Sequence, residues 1–106
     1  MIKDISCEDL KKKLEAKEHF VLLDVREQDE YDICHFDNAL LIPLGDLKER
    51  YQTLDTEIPV IVYCKMGGRS AQASAFLMEK GFKNVKNLDG GIRRWSLDID
   101  PDMPMY

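Results

Sequence analysis

Short apolar runs alternate along the chain with segments whose apolar residues recur every three or four positions. Ser6 opens the first such segment, with Asp9 three residues on and Leu10 and Leu14 four apart, the pattern of a capped amphipathic helix. Phe20-Val21-Leu22-Leu23-Asp24-Val25 is continuous and partly β-branched, which predicts a strand buried on both faces. A short polar helix over Gln28–Ile33 follows, then a second buried strand, Ala39-Leu40-Leu41-Ile42, stopped by Pro43. A helix is expected over Gly45–Leu54. Pro59-Val60-Ile61-Val62-Tyr63 is the most strand-like segment, with proline at its first position, where it is tolerated. The loop Cys64–Arg69 leads to a helix over Ser70–Lys80 that carries Ala71, Ala75 and Leu77 and ends before Gly81. Asn84–Leu88 alternates as a shorter strand, and Gly90-Gly91 turns the chain into a last helix through Trp95. The tail from Asp98 to Tyr106, with Pro101 and Pro104, is expected to be extended. Strands alternating with helices predict an α/β three-layer sandwich, a central, mainly parallel sheet of about five strands flanked by helices.

With 106 residues the chain is expected to form one domain over its whole length. Fifteen Lys and Arg against 20 Asp and Glu leave a net charge of −5, which offers no footprint for nucleic acid or an anionic membrane. No apolar run approaches the ~18 residues of a membrane span. The segment Met1–Ser6 lacks a basic region followed by an apolar stretch, so no signal peptide is expected. Cys7, Cys34 and Cys64 form no CxxC, which argues against a disulfide framework and for a reducing, cytoplasmic setting. The three cysteines and two histidines lack ligand-like spacing, so neither a metal nor an organic cofactor is expected.

The chemistry concentrates in Val60-Ile61-Val62-Tyr63-Cys64-Lys65-Met66-Gly67-Gly68-Arg69-Ser70. Cys64 falls at the carboxyl end of a strand with a helix just after it, the edge where ligands bind in an open α/β sheet. Gly67 and Gly68 permit positive φ, so successive N–H groups can converge into an anion-binding nest. The helix terminus near Ser70 adds partial positive charge, and Lys65 and Arg69 add full charges. Such surroundings favour thiolate over thiol. Cys64 is therefore the candidate nucleophile, with Lys65, Met66, Gly67, Gly68, Arg69 and Ser70 as the candidate substrate-binding loop. The bland alternative is a core cysteine that merely ends a strand.

This loop resembles the active-site loop of rhodanese-type sulfurtransferases, Cys-x-x-Gly-x-Arg followed by Ser or Thr, at Cys64, Gly67, Arg69 and Ser70. Asp24-Val25-Arg26-Glu27, Glu30-Tyr31, His35, Ala39, Ile42-Pro43 and Leu88-Asp89-Gly90-Gly91 with Trp95 resemble other segments of that family. Ile33-Cys34-His35 and the closing Ile99-Asp100-Pro101, Pro104 and Tyr106 look most like rhodanese domains fused to adenylyltransferases that serve sulfur-carrier proteins. The resemblance implies ping-pong transfer. Cys64 takes the sulfane sulfur of thiosulfate or a persulfide donor, becomes a persulfide, and passes the sulfur to a thiophilic acceptor, a thiol or a sulfur-carrier protein. Two other readings stay open: a non-catalytic interaction or sensor module, and a phosphatase or arsenate reductase. The relatives with those last activities have one residue more between Cys and Arg, which weakens that reading.

Individual residues carry further expectations. Arg69 is expected chiefly to brace the loop through its carbonyls, and Lys65 to steer the donor anion. Met66 should wall the mouth with a polarizable side chain. Asp24 and Arg26 read as a structural ion pair, and His35 as a hydrogen-bonded structural histidine. Asn38 can keep a left-handed turn where the family has glycine. Cys34 stands where most of that family has glycine, which leaves a resolving-thiol role open. The thiol of Cys64 is expected to stand open to solvent.

Overall fold

Strand alternation sets the layers. In the computed structural model, which describes residues 2–106, the strands are β1 (Lys3–Ile5), β2 (Val21–Asp24), β3 (Leu40–Leu41), β4 (Val60–Tyr63) and β5 (Val85–Leu88). They form one sheet in the order β1-β5-β4-β2-β3, and every pairing is parallel. Successive β4 side chains point to opposite faces. Val60 and Val62 join Leu23, Ala73 and Leu77 in one core, whereas Ile61 and Tyr63 join Leu10, Leu22, Ile92 and Trp95 in the other. Helix α4 (Gly68–Glu79) therefore covers one face, and α1 (Cys7–Glu15) and α5 (Gly91–Asp98) the other. β4 is buried along its whole length, as a doubly covered parallel strand must be.

Connections from the neighbouring strands β2 and β4 run in opposite directions, to the edge strand β3 and to β5. In open α/β sheets such a divergence marks the carboxyl ends of the two strands as the edge where ligands bind. Helix α2 (Gln28–Ile33) follows β2 there, and the cysteine loop follows β4.

One strand goes unpredicted, and four expectations need correction. β1 falls in a segment for which the sequence predicts no element; only Ile5 of its three residues is buried, too little pattern to mark a strand. The strand expected to be buried over Ala39–Ile42 is the edge strand β3, with Leu40 exposed. The helix expected over Gly45–Leu54 is broken: 3-10 turns at Leu44–Asp46 and Tyr51–Thr53 flank a single turn of α-helix, α3 (Leu47–Arg50). α4 starts at Gly68 rather than Ser70, because Gly67 at φ 112° serves as its N-cap. The tail does not run straight. Helix α5 reaches Asp98, and Met103 N–H donates to Asp100 O at 3.0 Å, folding the chain back.

Asp24 and Arg26 form the expected ion pair, with both side chains fully buried. Arg26 Nε and Nη2 donate to the Asp24 carboxylate at 3.0 and 2.7 Å, and Tyr63 Oη donates to Asp24 Oδ2 at 2.8 Å. The remaining Arg26 donors go to the Cys34 carbonyl at 2.6 Å, the main-chain oxygen of Tyr106 at 2.7 Å and the Glu30 carbonyl at 3.4 Å. A charge removed from water this completely persists only when every donor is matched, so Arg26 fixes the end of β2 against α2 and the tail. Asn38 adopts φ 64°, the left-handed turn expected of it.

Candidate active site

Cys64 directly follows β4, and the alternation that buries Val60 and Val62 turns its side chain towards α4. Gly67 N–H donates to Cys64 Sγ at 3.1 Å and Ser70 N–H at 3.3 Å. Ser70 Oγ lies 3.3 Å from the sulfur and 3.2 Å from Gly67 O. A hydroxyl has one proton: with a thiol, Ser70 can accept from S–H while donating to Gly67 O, and with a thiolate it turns its proton to sulfur.

Burial pushes the Cys64 thiol up, but the Ser70 hydroxyl and the amides of Ser70, Gly67 and Met66 outweigh it and bring the net shift below the ordinary value. The opposite case is Cys7, equally buried but without such donors, whose thiol burial pushes up to about 11. Both thiols are buried; they differ in the donors that stabilise the Cys64 anion and in the carboxylates of Glu8, Asp98 and Asp89 that disfavour the Cys7 anion. Ser70→Ala should accordingly move the pH midpoint of Cys64 alkylation upward and slow the reaction about tenfold at pH 6, the worth of one charge-assisted hydrogen bond. A pH profile of iodoacetamide labelling, read at the Cys64 peptide, measures this.

The expectation of an open thiol is not met. Cys64 is 1% exposed, whereas Met66 at the loop apex is 61% exposed. Met66 thus projects outward, and the sulfur lies beneath the loop that donates to it.

Arg69 does not turn to the loop carbonyls. It forms a two-pronged ion pair with Glu30 of α2, Nη1 to Oε1 at 2.7 Å and Nη2 to Oε2 at 2.9 Å. Glu30 Oε1 also accepts from Glu27 N–H at 3.0 Å, so the carboxylate that holds the loop also caps α2. Arg69, helped by that backbone bond, holds the Glu30 carboxyl at about 2 against an ordinary 4.5. The unfolded chain takes up this proton more readily. The stabilisation that Glu30 draws from Arg69 and the Glu27 amide, about 1–3 kcal/mol with the partly exposed Arg69 screened by water, is therefore complete above roughly pH 5 and fades as pH falls towards 2. In urea titrations, the stability gap between wild type and Glu30→Gln should shrink by more than half between pH 7 and pH 3.

Gly91 is the contributor that sequence reasoning passed over. Ile92 N–H donates to Cys64 O and Arg93 N–H to Lys65 O, each at 3.0 Å, so the start of α5 grips the two carbonyls that begin the loop. A Cβ on Gly91 would stand 2.4 Å from Lys65 O and 2.6 Å from Cys64 O. The Gly90-Gly91 pair was legible only as a turn; the close approach depends on a strand distant in sequence.

Of the other residues, His35 and Cys34 fall outside this constellation, and Lys65 stands at its edge, next to Cys64. His35 Nδ1 lies 2.8 Å from Tyr31 O and its ring stacks on Tyr31 with centroids 3.8 Å apart, a structural arrangement. Cys34 Sγ donates to Pro104 O at 3.4 Å. Lys65 Nζ lies over the Tyr106 ring, 4.6 Å from its centroid. Among the described residues, no group of three or more His, Cys, Asp or Glu side chains could hold a metal ion, and no helix is long and apolar enough to cross a membrane.

Amides and a hydroxyl gathered on one sulfur, at the carboxyl edge of an all-parallel sheet, define an α/β loop built to hold a thiolate. Residues 6–98 match the family model described as Rhodanese-like domain, and the chain belongs to that family. It is 39% identical over 100 residues to the putative sulfurtransferase YtwF of Bacillus subtilis, covering 94% of this chain and 96% of that protein. It is 35% identical over 109 residues to the adenylyltransferase and sulfurtransferase MOCS3-2 of Zea mays, covering 96% of this chain but only 23% of that protein. Among solved structures, a rhodanese-related protein of Thermoplasma volcanium superposes with a TM-score of 0.82 at 32% identity, covering 96% of this chain and 95% of that one. A thiosulfate sulfurtransferase of Pseudomonas aeruginosa gives 0.80 at 30% identity, covering 91% of this chain and 19% of that one. Relatives named as sulfurtransferases support sulfur transfer as the general activity.

Proposed function

We propose that the chain moves a sulfane sulfur from thiosulfate or a persulfide donor to a thiophilic acceptor by a ping-pong mechanism, with Cys64 as the carrier. The convergence of the Gly67 and Ser70 amides on Cys64 Sγ is the observation that carries this reading. In the first half-reaction the Cys64 thiolate attacks the outer sulfur of thiosulfate. The donor's S–S bond breaks, sulfite leaves with the electron pair, and Cys64 becomes a persulfide anion. The loop amides then stabilise the charge on the added sulfur by preorganised donation. In the second half-reaction an acceptor nucleophile attacks that outer sulfur and the Cys64 thiolate departs. A thiol stabilised as thiolate serves both halves, as attacking group and as leaving group.

The resting sulfur is covered, so a donor reaches it past the exposed Met66 at the loop apex. Lys65 and the loop N–H groups receive the anion, while Arg69, neutralised by Glu30, braces the loop. Acceptors of the expected kind are a small thiol or a sulfur-carrier protein. The six residues from Cys64 to Arg69 disfavour the phosphatase reading, and retention of both the cysteine and the glycines disfavours a purely docking module.

The test is intact mass after incubation with thiosulfate or glutathione persulfide. The expected result is a gain of one sulfur atom, mapped to Cys64 and removed by cyanide. Absence of uptake from either donor overturns the reading, and Cys64-dependent turnover of an aryl phosphate would replace it.

A further inference from the structure

The charges around the mouth are not equivalent. Arg69 is neutralised by Glu30 and Arg26 by Asp24. Among the described residues Lys65 is in no ion pair, and its ammonium lies over the face of Tyr106. An aromatic face attracts a cation without cancelling its charge. The ammonium is thus held in place yet left available to an incoming anion, on the residue next to Cys64.

Tyr106 is itself fixed by groups unrelated to sulfur chemistry. Ser96 Oγ donates to Met103 O, Cys34 Sγ donates to Pro104 O at 3.4 Å, and the buried Arg26 Nη1 donates to Tyr106 O at 2.7 Å. These bonds lead the tail to the loop and leave the Tyr106 side chain 46% exposed beside it. A ring that only filled the core would be buried.

We infer that Tyr106 is a positioning residue for donor selection: its ring holds the Lys65 ammonium at the mouth, so that anionic reagents reach Cys64 in preference to neutral ones. The inference rests on the sulfur-transfer reading for its biological meaning, but not for its test. It also gives Cys34 a role other than a resolving thiol, as a donor that seats the tail.

The experiment compares the alkylation rate of Cys64 by anionic iodoacetate with that by neutral iodoacetamide, resolved from Cys7 and Cys34 by peptide mass spectrometry. The ratio of the two rates cancels general changes in accessibility and thiolate content. Tyr106→Ala is expected to lower this ratio about threefold at low salt, a loss in line with an exposed cation–π contact. Tyr106→Phe should keep the ratio, whereas Tyr106→Leu, which retains apolar bulk without a π face, should lower it as alanine does. In a Lys65→Met background Tyr106→Ala should change nothing further. With thiosulfate, Tyr106→Ala and Tyr106→Leu should raise KM about threefold with kcat held, and Tyr106→Phe should leave it unchanged. An unchanged ratio in Tyr106→Ala and Tyr106→Leu, an equal fall in Tyr106→Phe, or a fall that persists without Lys65 overturns the inference. None of these touches the sulfur-transfer reading. Conversely, a ratio that falls as described in a protein that takes up no sulfur sinks that reading and leaves this inference standing.

Discussion

Cys64→Ser is expected to lose sulfur uptake entirely and to slow turnover at least a thousandfold while keeping the fold. A serine hydroxyl stays protonated near neutrality, so the amides of Gly67 and Ser70 would face a neutral oxygen with no nucleophilic anion to stabilise. The substitution removes little volume, and the hydroxyl inherits the same hydrogen-bonding neighbours, so the urea midpoint should move by no more than about 1 kcal/mol in free energy. Intact mass after donor treatment gives the chemical result, and urea denaturation separates it from unfolding. Uptake persisting in Cys64→Ser would assign the carrier to another thiol, and with it refute the role given to the loop.

Gly91→Ala should be the most destabilising single-methyl addition in the molecule. Alanine at φ 63° is strained by about 1–2 kcal/mol before any contact is counted. The added Cβ would meet rigid backbone at 2.4 and 2.6 Å, so the start of α5 must retreat and release the bonds from Ile92 and Arg93 to the loop carbonyls. Together these effects amount to about 4 kcal/mol, a large share of a small domain's stability, and correspond to a fall in Tm of roughly 20 °C. Sulfur loading should also fall in the fraction that remains folded, since releasing Cys64 O and Lys65 O frees the loop to turn its amides away. Gly68→Ala is the matched control. Nothing lies within 4 Å of a Cβ there and φ is not positive, so its Tm should stay level or rise slightly.

Features written in contiguous residues were legible in the sequence. Val60–Tyr63, Cys64 and the glycines after it announce a strand, a nucleophile and a nest within a dozen positions. Asp24 and Arg26, two residues apart, announce their pairing. Features that depend on distant chain segments were not. Glu30 captures Arg69 from 39 positions away, and the sequence offers only an arginine with carbonyls as its nearest partners. The sulfur's enclosure likewise follows from how far the loop folds over it, which residue types alone do not set. β1 owes its existence to a ladder with β5, in which Ile5 pairs with Leu88 from the far end of the chain. Its own triplet carries too little alternation to reveal a strand.

Tyr63 and Cys64 are consecutive yet serve opposite sides of the sheet, the phenol in the Asp24 cluster and the thiol under the amides of α4. Losing one residue from β4 would swap their faces, forcing the bulky phenol into the core under α4 and stranding the sulfur beside a carboxylate that repels its anion. Parity along a four-residue strand thus acts as a chemical selector: a frame shift of a single position abolishes the nucleophile without altering one functional side chain.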